Sequence, residues 1–585
     1  MNPLWGLARI KSGDRMKMQK LGALSMTVRL NLLLGLCIGL TWTFLTAPSI
    51  IELALVLAFF ILVPVLLSLV ATSNPKSVYR INILTAARWS FPFAAAGMLS
   101  LSMETGWLAA SAAAVWLLFT MAAAGNGIFR LLNRGIGQPE EAVIDAGLAF
   151  LAVGGVWLVL ARSGAAELMP YSSLTIDLTA IHYHYSAFVL PIFTGMFGRW
   201  LFGYNTQACE VLRRRRAFTI LAAGLAGGSP LVALGILHGP PFDLITSGVY
   251  IVFIYWLCLW VLASVLRIGY AAGPLAGIAS LILMTTMGVS TLYSLGMYFE
   301  TAVVTMDGML RWHGALNAFG FSVLGTLAWL IARPKPRYDE KAFPVSRVRT
   351  RGSTGDGNVR KRGREEHSEQ GTGLIADWNL LKGDDFDSEK INTVIRDFYV
   401  HTEYYDLTAE ISWKIELIGR AARFFTKGAG QIHLPLSGLE VLEGSILNVP
   451  DQEDRCRDLR AWIRSDSSTG EPVFNAFYST HRTRETGYFN IGLPLHRGII
   501  TRILRPENKP GGGLGLTSRK KPEMSGDEGI YLTVGRMTIK LPLEETFELT
   551  HIGGNLNAVH EIALFGWSIL RITCEITKEE ADEEL

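Results

Sequence analysis

Charged residues are scarce in this sequence: Asp, Glu, Lys and Arg together make up 18% of its 585 residues. An average soluble domain has about a quarter of its residues charged, and the mean hydropathy of +0.29 agrees with this deficit. The deficit is local, because apolar runs dominate residues 30–332 and charges return from Arg333 onward. The composition excludes a wholly soluble protein. It predicts a membrane part followed by a water-soluble part, each large enough for its own core.

Cysteine and familiar catalytic motifs are also in short supply. The chain has five cysteines, at positions 37, 209, 258, 456 and 574, and no two of them stand at CxxC spacing. This excludes a zinc ribbon and gives no sign of a disulfide framework, so reduced thiols are expected. No nucleophile elbow or P-loop is present. The glycine-rich run 511–516 lacks the following helix that a dinucleotide fingerprint requires.

The long apolar runs predict about ten transmembrane helices, because a helix needs roughly 20 mostly apolar residues to cross a bilayer. The expected spans are 30–47, 50–72, 83–103, 106–129, 143–161, 180–202, 217–238, 244–266, 273–296 and 312–332. The basic segment 1–29 precedes them without a small-residue cleavage site. The first span is therefore expected to be retained rather than removed as a signal peptide.

The basic residues predict an orientation, since Lys and Arg favour the cytoplasmic side of short loops. One side of the predicted bundle carries only Arg162 and Arg311. The other side carries the N-terminus and Lys76, Arg80, Arg88, Arg130, Arg134, Arg199, Arg213–Arg216, Arg267, Arg333, Lys335 and Arg337. Both termini are therefore predicted to be cytoplasmic. The run Arg213–Arg216 is interpreted as a topology determinant that also meets anionic lipid, and not as a nucleic-acid site.

Four histidines are the only ones in residues 30–332, and all fall at the predicted outer boundary: His182, His184, His238 and His313. Acidic residues, but no lysine, accompany them on that side. Imidazole and carboxylate groups suit a divalent metal, and imidazole also ligates haem. A proton relay is a second interpretation, since histidine titrates near neutral pH. The third is that these amphipathic rings anchor the helices at headgroup depth.

Helical spacing limits which of these side chains can belong to one site. His182 and His184 point about 200° apart on a helix, so both cannot face one metal. His313 and Asn317 are four residues apart and share a face, and a buried amide needs a partner. The predicted polar centre is therefore His313 and Asn317 together with one of His182 or His184.

The seventh predicted span contains Gly227, Gly228, Ser229 and Pro230 near its middle. Glycine weakens a helix and proline removes a backbone donor. Broken helices at this depth line sites in transporters, so the segment is a candidate broken-helix site. The alternative is a kink that neighbouring helices tolerate, and no internal repeat supports the transporter interpretation.

The remainder of the chain is water-soluble in composition. Residues 333–374 are predicted to be a flexible charged linker, and residues 375–585 an α+β domain with a mainly antiparallel sheet after an N-terminal helix. A sheet curved around an apolar pocket could hold a hydrophobic ligand, with a plain packed sheet as the alternative. No metal or nucleophile spacing joins its polar candidates, which are His401, Glu403, Asp406, His560 and Glu561.

Three segments resemble the YndJ-like bacterial membrane proteins: "AIHYHYSAFVLPIFTG" from Ala180, "LRWHGALNAFGFSVLG" from Leu310 and "IRDFYVHTEYYDLTAEISW" from Ile395. The resemblance extends over most of the chain. It implies a multi-pass membrane protein of the bacterial plasma membrane and supplies no catalytic residues.

Two functions follow as hypotheses. The first is cation or proton handling at the outer histidine and carboxylate site, by a transporter or by a metal-dependent membrane enzyme acting on a lipid-like substrate. The alternative is a membrane-anchored sensor or structural protein whose soluble domain binds a hydrophobic ligand or a partner.

Overall fold

The chain divides into two compact units, one helical and one built of β-strands. The structure, a computed structural model, describes residues 24–71, 83–165, 169, 171–203, 208–239, 241–301, 303–336, 373–375, 377–383, 386–429, 437–448, 459–466, 472–483, 485–495, 498–520, 526–534 and 537–578. Most of the basic N-terminus, Lys76, Arg80 and most of the predicted linker lie outside the described residues.

The helical unit consists of apolar helices, several of which begin at a serine or threonine cap, as at Ser25, Ser49 and Ser172. The helices are α1 (Met26–Thr46), α2 (Ile50–Val70), α3 (Ile83–Arg88), α4 (Ser90–Ser102), α5 (Trp107–Arg134), α6 (Pro139–Ser163), α7 (Ser173–His184), α8 (Leu190–Gly203), α9 (Ala208–His238), α10 (Phe242–Leu262), α11 (Val265–Ile268), α12 (Ala272–Tyr298) and α13 (Met306–Ala332).

Eight of the described helices are long and apolar enough to cross a membrane: α1, α2, α5, α6, α9, α10, α12 and α13. The other two predicted spans are helical as well. Span 83–103 consists of α3 and α4, which meet at Trp89. Span 180–202 lies within the helical run of α7 and α8, and that run begins at Ser173, seven residues earlier than predicted, because Ser172 caps it. The predicted figure of about ten is therefore approximate.

Among the described residues of this unit, three stretches of π-helix interrupt the α-helical hydrogen bonding. They are Ala58–Leu62 in α2, Tyr185–Val189 between α7 and α8, and Met309–Phe321 in α13. π-helix is rare and is frequent at functional sites, because its i to i+5 bonding redirects side chains. Two of the three stretches adjoin or contain histidines that the sequence singled out.

The β unit is a closed barrel. Its strands are β1 (Tyr405–Trp413), β2 (Ser437–Asn448), β3 (Arg460–Asp466), β4 (Pro472–Thr483), β5 (Thr486–Leu495), β6 (Gly498–Lys509), β7 (Gly513–Thr517), β8 (Gly529–Val534), β9 (Met537–Lys540), β10 (Leu543–Ile552), β11 (Asn555–Leu564) and β12 (Trp567–Lys578). Their order is β5-β4-β3-β2-β1-β12-β11-β10-β7-β6-β8-β9, and β5 also pairs with β6. That pairing closes ten strands into a ring, with β8 and β9 attached outside it.

All the strand pairings are antiparallel, as the sequence predicted. Each of the ten ring strands contributes at least one residue to one apolar cluster, which is therefore the barrel interior; examples are Trp462 on β3, Phe489 on β5 and Leu549 on β10. Helix α14 (Thr393–Val400) adds Ile395 and Phe398 to the same cluster. The α-helix begins after Asn392, whose side chain accepts from the Val394 backbone N–H.

Candidate functional site

His182 and His313 meet across two helices at one end of the helical unit. Their rings are 6.4 Å apart between centroids and inclined by 25°. His182 lies in the last turn of α7, three residues before a π-helical stretch, and His313 lies inside the π-helical stretch of α13. His182 is exposed and His313 is half-buried, so the pair is reachable from outside the bundle. Of the two candidates in α7, His182 is therefore the one that faces His313.

The hydrogen bonds of the pair determine which ring nitrogens carry the protons. Nδ1 of His182 lies 2.6 Å from the carbonyl oxygen of Leu178, and Nδ1 of His313 lies 3.1 Å from that of Thr286. A carbonyl oxygen only accepts, so each neutral ring is protonated at Nδ1. Each Nε2 is then left with a lone pair that can take up a proton.

Asn317 lies one turn further along α13, as the spacing predicted. Its amide nitrogen is 3.5 Å from Nδ1 of His313, and the Thr286 hydroxyl donates to its Oδ1 at 2.7 Å. Thr286 thus contacts both predicted residues of α13, through its carbonyl and its hydroxyl. This arrangement fixes the orientation of His313 and ties α13 to α12.

His184 belongs to a different environment. It is fully buried, its Nδ1 donates to the Ala180 carbonyl at 2.8 Å, and its Nε2 accepts from the Trp116 indole N–H at 3.0 Å. Both nitrogens are therefore engaged. A Cβ on Gly154 would stand 2.8 Å from the ring, so the absence of a side chain there admits it. His184 is a satisfied core residue that ties α7 to α5.

His238 does not join the pair. Its Nδ1 donates to the Leu234 carbonyl of its own helix at 2.8 Å, and its ring packs against Phe242 with the centroids 6.0 Å apart. This is the position of an anchor at a helix end.

The segment Gly227–Pro230 is a candidate break in the sequence, with a tolerated kink as the alternative, and in the structure α9 runs without interruption from Ala208 to His238 with Pro230 inside it. The local function of Gly228 is close packing, because a methyl group there would overlap the Tyr250 ring. Ser229 does reach a polar cluster. Its hydroxyl lies 3.1 Å from Ser186 Oγ and 3.1 Å from the Tyr250 hydroxyl, and Ser186 and Tyr250 are 3.0 Å apart.

A cluster of buried charges, whose role was not predicted from the sequence, lies at the other end of the unit. Arg199 contacts Glu141 at 2.6 and 2.7 Å, and Arg130 contacts Glu141 at 2.7 Å and Asp145 at 2.8 Å. Arg199 also donates to the carbonyl of Val70 at 3.2 Å. All four side chains are at most 2% exposed.

This cluster corrects the use of two arginines as topology signals. Arg130 and Arg199 are held inside the bundle by carboxylates, so their charge does not report the side of the membrane. The available sequence signal was the pair Glu141 and Asp145, which are four residues apart on one face at the start of an apolar helix. Two positive and two negative groups balance one another, as burial requires.

A metal centre has little support in the described ranges, since they contain no group of three His, Cys, Asp or Glu side chains that could hold an ion. His182 and His313 offer two imidazole nitrogens, and Asn317 would have to supply a third ligand.

In the barrel, two of the histidines noted from the sequence pair with carboxylates. His560 Nε2 lies 2.6 Å from Glu545, which also contacts Arg502 at 2.9 Å. Burial alone would raise the pKa of Glu545, but the charges and hydrogen bonds of Arg502 and His560 lower it to about 2. His401 lies 2.8 Å from Asp397.

Asp397 also ties α14 to the barrel strands. It accepts from the Tyr405 hydroxyl at 2.7 Å and from Lys578 at 2.8 Å. Burial raises the pKa of Asp397, but the hydrogen bonds from Lys578, Tyr405 and His401 bring it down to about 2. These ion pairs fix helix and strands to one another.

Apolar helices of membrane-crossing length, buried ion pairs among them and a C-terminal antiparallel barrel define a multi-pass membrane protein with an appended β domain. The YndJ-like protein family model matches residues 53–321. A protein of Bacillus subtilis (strain 168) described as "Uncharacterized membrane protein YndJ" is 32% identical over 487 residues, which cover 82% of this chain and 85% of that protein. The chain belongs to the YndJ-like family. No solved structure matches it.

Proposed function

We propose that this protein takes up protons and passes them through its helical bundle, with His182 and His313 as the first residues that bind the proton. The observation that carries the proposal is the pair itself: two rings from separate helices, 6.4 Å apart, each with Nδ1 donating to a carbonyl. The Nε2 lone pair of His182 would accept a proton from solvent. A bridging water would carry it to Nε2 of His313.

The cluster of Ser186, Ser229 and Tyr250 supports a continuation into the bundle. Ser186 follows His182 by four residues on the same helical run, and each of the three hydroxyls can donate and accept. The charge cluster around Glu141 is placed outside this route, because its carboxylates are already paired with arginines.

The proposed setting is the plasma membrane of a bacterial cell. Segment 1–29, the linker 333–374 and the domain 375–585 are placed in the cytoplasm, and the helical domain 30–332 in the bilayer. Support comes from the exposed arginines at one end of the bundle, Arg88, Arg213, Arg216 and Arg267. The same basic loops are proposed to contact anionic lipid and not nucleic acid.

Proton flux into vesicles tests the proposal. The full-length protein is reconstituted in neutral-lipid vesicles that enclose a pH-sensitive dye, and a pH step is applied. His182→Ala and His313→Ala should each slow the flux by at least about tenfold. His238→Ala is the matched control and should leave it unchanged. Wild-type flux no faster than in empty vesicles, or equal flux in all variants, would overturn the proposal.

The second candidate is binding of a hydrophobic ligand by the barrel, as for a membrane-anchored sensor. It is favoured by the closure of ten strands around an apolar interior. Solvent extraction of the purified full-length protein followed by mass spectrometry should recover a stoichiometric hydrophobic compound. Recovery of none from protein that also fails to take up a fluorescent fatty acid would remove this candidate.

A further inference from the structure

A cavity of about 770 Å³ opens at the end of the helical unit opposite the histidine pair. It lies between the end of α8, the beginning of α9 and the end of α10. The side chains that define its chemistry are three arginines and three tryptophans: Arg213, Arg214, Arg267, Trp200, Trp256 and Trp260. No acidic side chain is among the described residues that line it.

The charges in this cavity come from separate parts of the chain. Arg213 and Arg214 extend from the start of α9, and Arg267 from α11, which follows α10. All of the charged groups are arginine. The planar guanidinium binds phosphate through two parallel hydrogen bonds, which the ammonium of lysine cannot do.

The tryptophans supply the other half of an amphiphilic surface. Trp200, Trp256 and Trp260 present large apolar faces beside the arginines, and tryptophan is typical of the headgroup level of a membrane. A ligand with one anionic group and an apolar body would satisfy both sets of side chains. Basic pockets between transmembrane helices bind acidic lipid headgroups in this way.

We infer that the cavity binds the phosphate group of an anionic phospholipid, with the glycerol and ester region against the tryptophans. The inference gives a defined site to the lipid contact proposed above for the basic loops, and rests on it. It does not depend on proton transfer at His182 and His313.

Lipid binding by the full-length protein in detergent tests the inference. Native mass spectrometry would compare phosphatidylglycerol with phosphatidylcholine as added lipids, and inorganic phosphate would be added in a parallel arm. Wild type should prefer phosphatidylglycerol by about tenfold or more, since each arginine in direct contact with the bound headgroup should strengthen acidic-lipid binding several-fold. Inorganic phosphate at the same concentration should not displace the lipid.

Two double variants that lose the same amount of charge distinguish lipid binding in the cavity from general electrostatic attraction of the basic loops to anionic lipid. Arg213→Gln/Arg267→Gln removes cavity charges and should abolish most of the preference. Arg88→Gln/Arg216→Gln removes exposed arginines outside the cavity and should change it less than about twofold. Equal loss in both variants would overturn the cavity site while leaving the general lipid contact standing. Displacement of the lipid by inorganic phosphate would overturn the phospholipid as the ligand.

Discussion

The guanidinium of Arg199 and the carboxylate of Glu141 face each other through two contacts, of 2.6 and 2.7 Å, with neither side chain more than 1% exposed. Arg199 lies near the end of the helical run α7–α8, and Glu141 lies in the first turn of α6. Two side chains that are 58 residues apart in the chain thus join α6 to α8 by charge rather than by apolar packing alone. Removal of one partner leaves the other charge buried without compensation.

Glu141→Gln is expected to destabilise the helical unit by about 3–5 kcal/mol, the usual cost of breaking a buried ion pair. The measurement is equilibrium unfolding of the full-length protein in mixed micelles. Asp307→Asn is the matched control, because the Asp307–Arg311 pair has a 3.0 Å contact but both side chains are about two-thirds exposed. The control should cost no more than about 0.5 kcal/mol. Similar losses in the two variants would contradict a structural role for the buried cluster.

The unbroken helix at Gly227–Pro230 yields a second prediction from two adjacent glycines. A methyl group on Gly228 would overlap the Tyr250 ring, whereas nothing lies within 4 Å of the corresponding position on Gly227. Gly228→Ala should therefore destabilise by about 1–3 kcal/mol through overpacking. Gly227→Ala should stabilise by up to about 1 kcal/mol, because alanine is the better helix former.

Thermal unfolding of the two glycine variants in the same detergent is the measurement. The two variants should change the stability in opposite directions. This distinguishes a continuous helix from a broken one, because a segment that is broken in the folded protein would not be stabilised by alanine at Gly227. Destabilisation by Gly227→Ala would show that the local backbone is not an ordinary helix.

The positions of most helices and late strands could be predicted from the sequence because their apolar periodicity is local. β4–β8 and β10–β12 coincide closely with apolar stretches between turn residues. β1–β3 were not predicted, although Leu407, Ala409 and Ile411 alternate with polar residues along β1. Barrel closure also requires the pairing of β1 with β12, the first and last strands, and a contact between strands so far apart in the chain leaves no periodic signal in either strand.

The candidate site could likewise be predicted only as far as it depends on residues within one helix. Spacing along one helix placed His313 and Asn317 on a shared face, and left the choice between His182 and His184 open. The choice depends on Trp116, whose indole N–H engages His184 from a helix 68 residues away. Such a contact between helices is tertiary, and no spacing rule within α7 contains it. The pairing of Arg199 with Glu141 was missed for the same reason.

Glu545 in the barrel yields a prediction about pH. Its usual pKa of 4.5 falls to about 2 in the folded protein, because the charges of Arg502 and His560 outweigh the effect of burial. A carboxylate whose pKa is depressed on folding stabilises the protein above its unfolded pKa, and this contribution is lost as the pH falls. The stabilisation should therefore be complete above about pH 4.5 and disappear between there and about pH 2.

Glu545→Gln removes the titrating group and should cost about 2 kcal/mol at neutral pH, the scale of hydrogen bonds to a buried charge. Amide hydrogen exchange of β6, β10 and β11 in the full-length protein, corrected for the intrinsic rate at each pH, measures the local stability of these strands. The difference between wild type and variant should shrink as the pH falls from about 4.5 to about 2, because Glu545 is protonated first in the unfolded state and, near pH 2, in the folded protein as well. Glu561→Gln is the control: this carboxylate on β11 is about a third exposed and lies 3.6 Å from Arg571. Its effect should be small and nearly independent of pH, and an equal pH-dependent loss in both variants would show that the buried pairing with Arg502 and His560 is not the cause.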